Sequence, residues 1–123
     1  MADIVDVKSL LLITLATEFK NYPVYLQGSM SDTEAYPQSF FTYWNNDTSD
    51  SAFYDNSESE TIWDFDLNFY SSDPTTVNTT LITAKSALRA VGFICQGAGY
   101  DVVSDEKTHT GRGMNISFIQ KIK

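Results

Sequence analysis

The chain has 123 residues, enough for one domain with one buried core. Its formal net charge is −8, because sixteen aspartates and glutamates outweigh eight lysines and arginines. Proteins that grip nucleic acid or anionic membranes use lysine and arginine to neutralise phosphate. No lysine or arginine lies between Lys20 and Lys85, so neither a nucleic-acid groove nor a membrane-surface contact is expected.

The single cysteine, Cys95, excludes an intrachain disulfide and a secreted disulfide scaffold. The amino terminus has neither the basic region nor the small-residue cleavage site of a signal peptide. The longest apolar stretch, residues 10–13, is far too short to span a bilayer. We therefore expect a protein that is made in the cytoplasm of its host and has no membrane partner.

Residues 4–20 are predicted to form a helix with Asp3 or Asp6 as its N-cap and an end near Asn21 and Pro23. Its apolar residues are more numerous than the single stripe that a core-facing helix needs. Two explanations are open: the domain covers both faces of the helix, or the second face packs against a neighbouring subunit. On the second explanation, the candidate subunit-contact residues are Leu10, Leu12 and Ile13.

The middle of the chain predicts three strands and a long acidic loop. A short strand is expected at Val24–Leu26, a second at residues 40–44, and a third at 62–70, where apolar and polar residues alternate. The polar segment at about 45–60 is predicted to be a loop that is either mobile or ordered by a partner. Its carboxylates are Asp47, Asp50, Asp55, Glu58 and Glu60, and its apolar island is Phe53 and Tyr54.

A second helix is predicted from Asp73 as N-cap and Pro74 as first helical residue to Gly92 as the stop. Its apolar stripe is Val77, Leu81, Ala84, Leu88 and Val91. Strands are expected at 100–103 and 114–119, and whether residues 93–95 begin another strand is left open. The connection at 104–113 contains Gly111 and Gly113. The order α-β-β-β-α-β-β predicts an α+β domain with a mainly antiparallel sheet packed by two helices.

Residues that could carry chemistry are few. A catalytic triad needs a histidine beside a nucleophile, and a zinc site needs several histidine or cysteine ligands, but His109 is the only histidine. Asp64 and Asp66 share one face of a predicted strand and could hold magnesium, or they are the polar side of a half-buried strand. The glycine pairs at 97–99 and 111–113 suit turns. We predict no catalytic residue, metal or cofactor, and a hydrogen-bonding role for His109.

Several segments together resemble the tail terminator and minor capsid (head–tail joining) proteins of long-tailed bacteriophages. In the C-terminal third they are Gly92-Phe93, Gly99-Tyr100-Asp101-Val102, Ser104-Asp105-Glu106 and His109-Thr110-Gly111-Arg112-Gly113. Earlier in the chain they are Trp63-Asp64-Phe65-Asp66-Leu67 and the helix that begins at Asp73-Pro74. The predicted order of elements is also similar to that fold over the whole chain.

The resemblance implies a structural virion protein and not an enzyme. It implies a hexameric ring that terminates the tail tube and joins it to the neck of the capsid, after assembly in the host cytoplasm. The partners would be further copies of the chain, the tail tube protein and a neck or stopper protein, while DNA passes through the lumen without specific binding. Acidic walls would repel DNA phosphate, and Phe53 and Tyr54 would anchor the acidic loop on a neighbouring subunit.

Three alternatives are open. The chain could be another neck component, such as a head-completion stopper; a dodecameric adaptor would be mostly helical. It could be a small metal-dependent hydrolase that uses Asp64, Asp66 and His109. It could also be a monomeric binding module that recruits a host protein.

Overall fold

The structure is a computed structural model that describes residues 6–26, 37–50, 59–104 and 107–122. Its elements in chain order are α1 (Val7–Glu18), β1 (Val24–Leu26), β2 (Ser39–Asp50), β3 (Ser59–Ser71), α2 (Pro74–Ala90), β4 (Ile94–Cys95), β5 (Tyr100–Val102) and β6 (Thr110–Ile122). The predicted α+β class is confirmed. The strand left open at residues 93–95 is present as the two-residue β4.

The strands form one sheet in the order β1-β2-β3-β6-β4, and β5 also pairs with β6. All pairings are antiparallel except that of β1 with β2. The short strands cover little of their long neighbours: β1 pairs with residues 41–43 of β2, β4 with 116–117 of β6, and β5 with 111–113. In the described part of the chain, the outer edges of β2 after residue 43 and of β6 after 117 have no strand beside them.

Both helices pack against the same face of the sheet, which we call the covered face. The predicted alternation of β3 is confirmed, because Phe65, Leu67 and Phe69 are fully buried on this face. Registered partners across antiparallel strands share a face, so β2 and β6 contribute their own alternate residues. The core comprises Val7, Leu11, Leu15, Phe41, Phe65, Leu67, Phe69, Val77, Leu81, Ala84, Leu88, Phe93, Cys95, Met114 and Ile116.

Helix α1 is shorter than the predicted 4–20. Asp6 has an extended backbone and caps the helix, since its Oδ1 accepts a hydrogen bond from the Lys8 amide at 3.1 Å. At the other end, Phe19 leaves the helical conformation. Residues 4 and 5 lie outside the described residues.

Helix α2 begins as predicted, with Pro74 in the first turn and the Asp73 carboxylate accepting from the Thr75 amide at 3.1 Å. Its predicted stripe is buried except at Val91, which is 40% exposed. The placement of Val91 in the stripe is wrong because the helix ends at Ala90 and Gly92, with φ of 110°, turns the chain away.

Two predicted loops are partly wrong. Residues 45–50 and 59–60 belong to β2 and β3, because backbone pairing continues far beyond the apolar part of each strand. Gly111 and Gly113 lie inside β6 rather than in a turn. Their role is close packing: a Cβ at Gly111 would stand 2.6 Å from the Tyr70 ring, and one at Gly113 would overlap the Asn68 amide.

The turn predicted at residues 96–99 is confirmed, since Gly97 and Gly99 adopt φ of 76° and 88°. Within the described ranges, neither helix has the length and apolar character needed to cross a bilayer.

Candidate functional site

The second face of the sheet is covered by neither helix, and we call it the open face. It carries the residues that alternate with the core positions. They are Phe40, Thr42, Trp44, Asp47 and Ser49 of β2, Glu60, Ile62, Asp64, Asp66, Asn68 and Tyr70 of β3, Gly111, Gly113, Asn115, Ser117, Ile119 and Lys121 of β6, and Tyr25, Ile94, Tyr100 and Val102 of the shorter strands.

One end of the open face is closed by aromatic side chains. Phe40 is buried there: its ring stacks on Tyr70 with centroids 5.3 Å apart and meets the Tyr25 ring edge-on at 6.0 Å. The His109 ring lies 5.9 Å from that of Phe40. This end is therefore a second, smaller core and leaves little surface for a partner.

His109 holds the connection before β6 against the start of β2. Its Nε2 lies 2.8 Å from the carbonyl oxygen of Pro37, and its Nδ1 lies 2.9 Å from the hydroxyl of Thr108. A carbonyl only accepts hydrogen bonds, so Nε2 carries the proton and donates it. The Nδ1 atom and the Thr108 hydroxyl form the second hydrogen bond of the ring. The predicted hydrogen-bonding role of His109 is confirmed.

A β-bulge changes which residues of β2 reach the open face. Asn45 pairs with Phe65 and Asp47 with Asp64, so one extra residue, Asn46, is inserted between them. Without this residue, Asp47 would fall on the covered face, as every second residue from Phe41 does. The bulge therefore brings the Asp47 carboxylate to the open face, directly opposite Asp64.

Three carboxylates, Asp47, Asp64 and Asp66, form a cluster on the open face. Like charges directly opposite each other across strands are unfavourable, and Asp47 faces Asp64 in this way. The cluster receives only long hydrogen bonds of 3.4 Å, from the Asn46 and Asn115 amides and the Ser117 hydroxyl. None of the described side chains on this face is a cation. The fold therefore tolerates this cluster without neutralising it.

Large apolar side chains frame the carboxylate cluster. Trp44 on one side is 47% exposed, and the other side carries Ile94, Tyr100 and Ile119, which are comparably exposed. A cavity of about 430 Å³ lies beside them, and it is lined by the apolar Ile62, Ile94 and Ile119 and by the polar Gln96, Asn115 and Ser117. Apolar residues gathered on one face of a domain are typical of an interaction surface.

The carboxylates act electrostatically on this frame. Burial raises the pKa of the Tyr100 hydroxyl, and the negative charges of Asp66 and Asp64 raise it further. Tyr100 is therefore neutral at physiological pH and offers a hydroxyl donor beside the cluster.

Thr42 adds an unusual polar group to the same face. Its side chain is only 6% exposed, and its Oγ1 has no hydrogen-bond partner among the described residues. It precedes Trp44 on the open face of β2 and pairs with Asn68. Buried hydroxyls are usually satisfied, so this one is an exception within the described part of the chain.

The predicted acidic loop residues are divided between strands and undescribed segments. Asp47 is exposed on β2, and Glu60 is half-buried on β3. Asp50 ends β2, and its side chain is outside the described part. The remaining predicted residues, Phe53, Tyr54, Asp55 and Glu58, lie outside the described residues.

The predicted contact residues of α1 differ in their surroundings. Leu10 packs against the core of its own domain, and Leu12 is half-buried. Ile13 is 62% exposed, so it alone of the three is mostly available to a neighbour.

The structure does not bring together the residues of the hydrolase alternative. Asp64 and Asp66 lie near the middle of β3, whereas His109 packs at the Tyr70 end, about 13 Å further along for four residues of strand. In the described ranges, no three histidine, cysteine, aspartate or glutamate side chains are grouped closely enough to hold a metal ion.

A larger cavity of about 750 Å³ lies between the start of α2 and the connection from β5 to β6. Its central cation, Arg112, is engaged internally: Nη1 contacts Asp101 at 2.7 Å, and Nη2 donates to the carbonyls of Ala98 and Gly99, both at 3.2 Å. The hydrogen bonds of this arginine thus hold the turn before β5. The Nε of Arg112 is buried without a hydrogen-bond partner among the described residues, and the exposed Lys107 also lines this cavity.

Sequence reasoning missed the apolar frame of Trp44, Ile94, Tyr100 and Ile119. One signal was present, since Ile62 falls on the face that the alternation of β3 assigns to polar residues. The register of β6 and β4 against β3 was needed to place the others on that face. No protein-family model matches the chain, and no curated protein matches it either.

Proposed function

We propose that this chain is a structural virion protein of a long-tailed bacteriophage. Copies of it form a hexameric ring that terminates the tail tube and joins it to the neck of the capsid. DNA passes through the lumen without specific binding, and the protein is not an enzyme. The family resemblance of the C-terminal third and of residues 63–67 supports this assignment.

The observation that carries the proposal is the open face. A monomer with this face exposes four large apolar side chains around an unneutralised carboxylate cluster. Exposed apolar side chains invite nonspecific association in a monomer, and an assembly can bury them if the neighbour also pairs the carboxylates. The combination therefore favours a protein whose working state is assembled.

The charge of the chain supports the conduit role. A passage for DNA must not hold its cargo, and the net charge of −8 repels phosphate. On this proposal, the acidic segment between β2 and β3, with Asp55 and Glu58, lines the lumen. Its partners are the tail tube protein on one side and a neck or stopper protein on the other.

The test is to image the purified protein and to measure its mass by light scattering, alone and with purified tail tubes. We expect rings, or monomers that add to the ends of tubes. Addition to isolated capsids and never to tubes would instead assign the chain to the stopper position. A protein that stays monomeric and binds neither structure would contradict the proposal.

A further inference from the structure

The outer side of α2 offers a surface that is the counterpart of the open face. Ile82 and Arg89 are seven residues apart, which places them on the same side of the helix about two turns from each other. Ile82 is 48% exposed, and Arg89 is also exposed. The Arg89 side chain makes no hydrogen bond or ion pair within the described part of the chain, whereas its backbone carbonyl accepts from the Gly92 amide. We call Ile82, Ser86 and Arg89 the outer stripe of α2.

The charge of α2 contrasts with that of the open face. The helix contains two cations, Lys85 and Arg89, and no aspartate or glutamate. The Lys85 ammonium donates a hydrogen bond to the carbonyl of Gly97. Arg89 is therefore the cation of this helix whose side chain has no partner among the described residues. The open face carries four described carboxylates, those of Asp47, Glu60, Asp64 and Asp66, and the backbone register places Lys121 opposite Glu60 at the far end of the face. The two surfaces are thus complementary in charge, and both carry exposed apolar side chains.

We propose that the open face of one copy binds the outer stripe of α2 in the next copy of the same chain. In this contact, Arg89 lies between the indole of Trp44 and the carboxylate of Asp66, which are registered neighbours on β2 and β3. An arginine over an indole ring beside a carboxylate gains from both a cation–π interaction and a charge-assisted hydrogen bond. This inference rests on the proposed ring and names its subunit interface.

The distance between Ile82 and Arg89 on the outer stripe is similar to the distance between Ile62 and Asp66 on the open face. Ile82 and Arg89 are about 10 Å apart along the helix axis at 1.5 Å per residue. On the open face, the step from Asp66 to Ile62 is about 13 Å for four residues of strand. When Arg89 contacts Asp66, Ile82 therefore reaches the cavity beside Ile62 and Ile119.

The geometry of the contact also fits a ring. The open face and α2 lie on opposite sides of one sheet, so each copy uses two different surfaces. Such a head-to-tail contact repeats from copy to copy and closes when the rotation between subunits divides a full turn. The sheet of each copy then has helices on both faces, its own on one and those of the neighbour on the other.

The test is a charge exchange between the two surfaces. We expect Asp66→Arg and Arg89→Asp each to weaken self-association at least tenfold, measured as the dissociation constant by sedimentation velocity. The double variant Asp66→Arg/Arg89→Asp should recover most of that loss, because the exchanged charges meet again across each contact. Glu18→Arg and Lys20→Asp are matched controls that change the net charge equally at exposed positions of the same fold.

The outcomes separate this interface from the ring itself. If the wild type forms rings and both single variants form them equally well, the proposed interface is overturned and the ring proposal stays intact. Loss of association with Ile13→Asp alone would have the same result, because the contact would then lie on α1. Failure of the double variant to recover, with each single variant folded by circular dichroism, would overturn the direct contact. A wild-type protein that never associates would overturn both proposals.

Discussion

The two faces of the sheet are built from the same three long strands and differ in almost every other respect. The centre of the covered face is apolar and fully buried, with Phe65 and Ile116 in its core, while polar residues such as Thr61 and Gln120 lie towards its end. The open face places carboxylates at the corresponding positions and surrounds them with half-exposed apolar residues. Burial of the covered face is what folds the domain. Apart from its aromatic end, the open face buries little apolar surface, so its exposed side chains contribute much less to folding than the covered face does.

The prediction with the largest expected effect compares how much a side chain of each face contributes to the free energy of unfolding. Phe65→Ala should lower the free energy of unfolding by about 3–5 kcal/mol, because it removes a fully buried ring and leaves a cavity. Trp44→Ala on the open face removes a larger side chain that is half exposed, and it should cost about 1 kcal/mol or less. Urea denaturation under monomeric conditions measures both. Equal losses would mean that the open face also stabilises the monomer.

A second prediction concerns the aromatic end of the open face, which behaves as a core. Gly111→Ala should cost about 1–3 kcal/mol, because the added methyl meets the Tyr70 ring and the Val102 side chain. Ser117→Ala, further along β6 on the same face, is the control and should change stability by about 0.5 kcal/mol or less. If the two substitutions cost the same, the tight packing at Gly111 is not important for stability.

A third prediction concerns α2, one of the two helices that bury the covered face. Asp73→Ala removes the carboxylate that accepts from the Thr75 amide, and it should cost about 1 kcal/mol through loss of the N-cap of α2. Asp73→Asn retains a capping oxygen and should be close to wild type. Thermal unfolding of the three proteins measures the difference. A cost for asparagine as large as that for alanine would point to the charge rather than to the hydrogen bond.

The smallest expected effect depends on pH and belongs to the other helix. A hydrogen bond from the Ser9 side chain holds the pKa of the Asp6 carboxyl below its usual range. A pKa that is lower in the folded state stabilises the fold above the pKa of the unfolded chain, and that stability is lost as the pH falls through the folded value. The urea midpoint of the wild type should therefore decline between pH 5 and pH 3 slightly more than that of Asp6→Asn. Identical declines would exclude this contribution.

The covered face was predictable from sequence because its signal is periodic. The alternation from Trp63 to Phe69 and the stripe from Val77 to Leu88 each define one apolar face, and both faces are buried where the sequence indicates. The N-cap and first turn of α2 were predictable because Asp73-Pro74 favours one conformation. These signals are local and do not depend on which strands become neighbours.

The open face was not predictable for the opposite reason. The inserted Asn46 reverses the alternation of β2, so Asp47 lies on a face that its position in the sequence does not indicate. The polar ends of β2 and β3 form strands because they pair with each other, which composition does not reveal. Gly111 and Gly113 suit a turn by composition, and only the neighbouring Tyr70 and Asn68 side chains explain why the strand needs them.

The modification rate of Cys95 offers a way to measure local opening of the fold. Cys95 is the one thiol in the chain, and burial raises its pKa, although Lys85 and Arg89 partly oppose the shift. Only the thiolate reacts with disulfide reagents, so the native state protects this sulfur both by exclusion and by protonation. The rate of its modification therefore reports how often β4 and α2 separate. If the neighbouring copy rests on α2, that rate should fall as the ring assembles, in a protein that needs no added label.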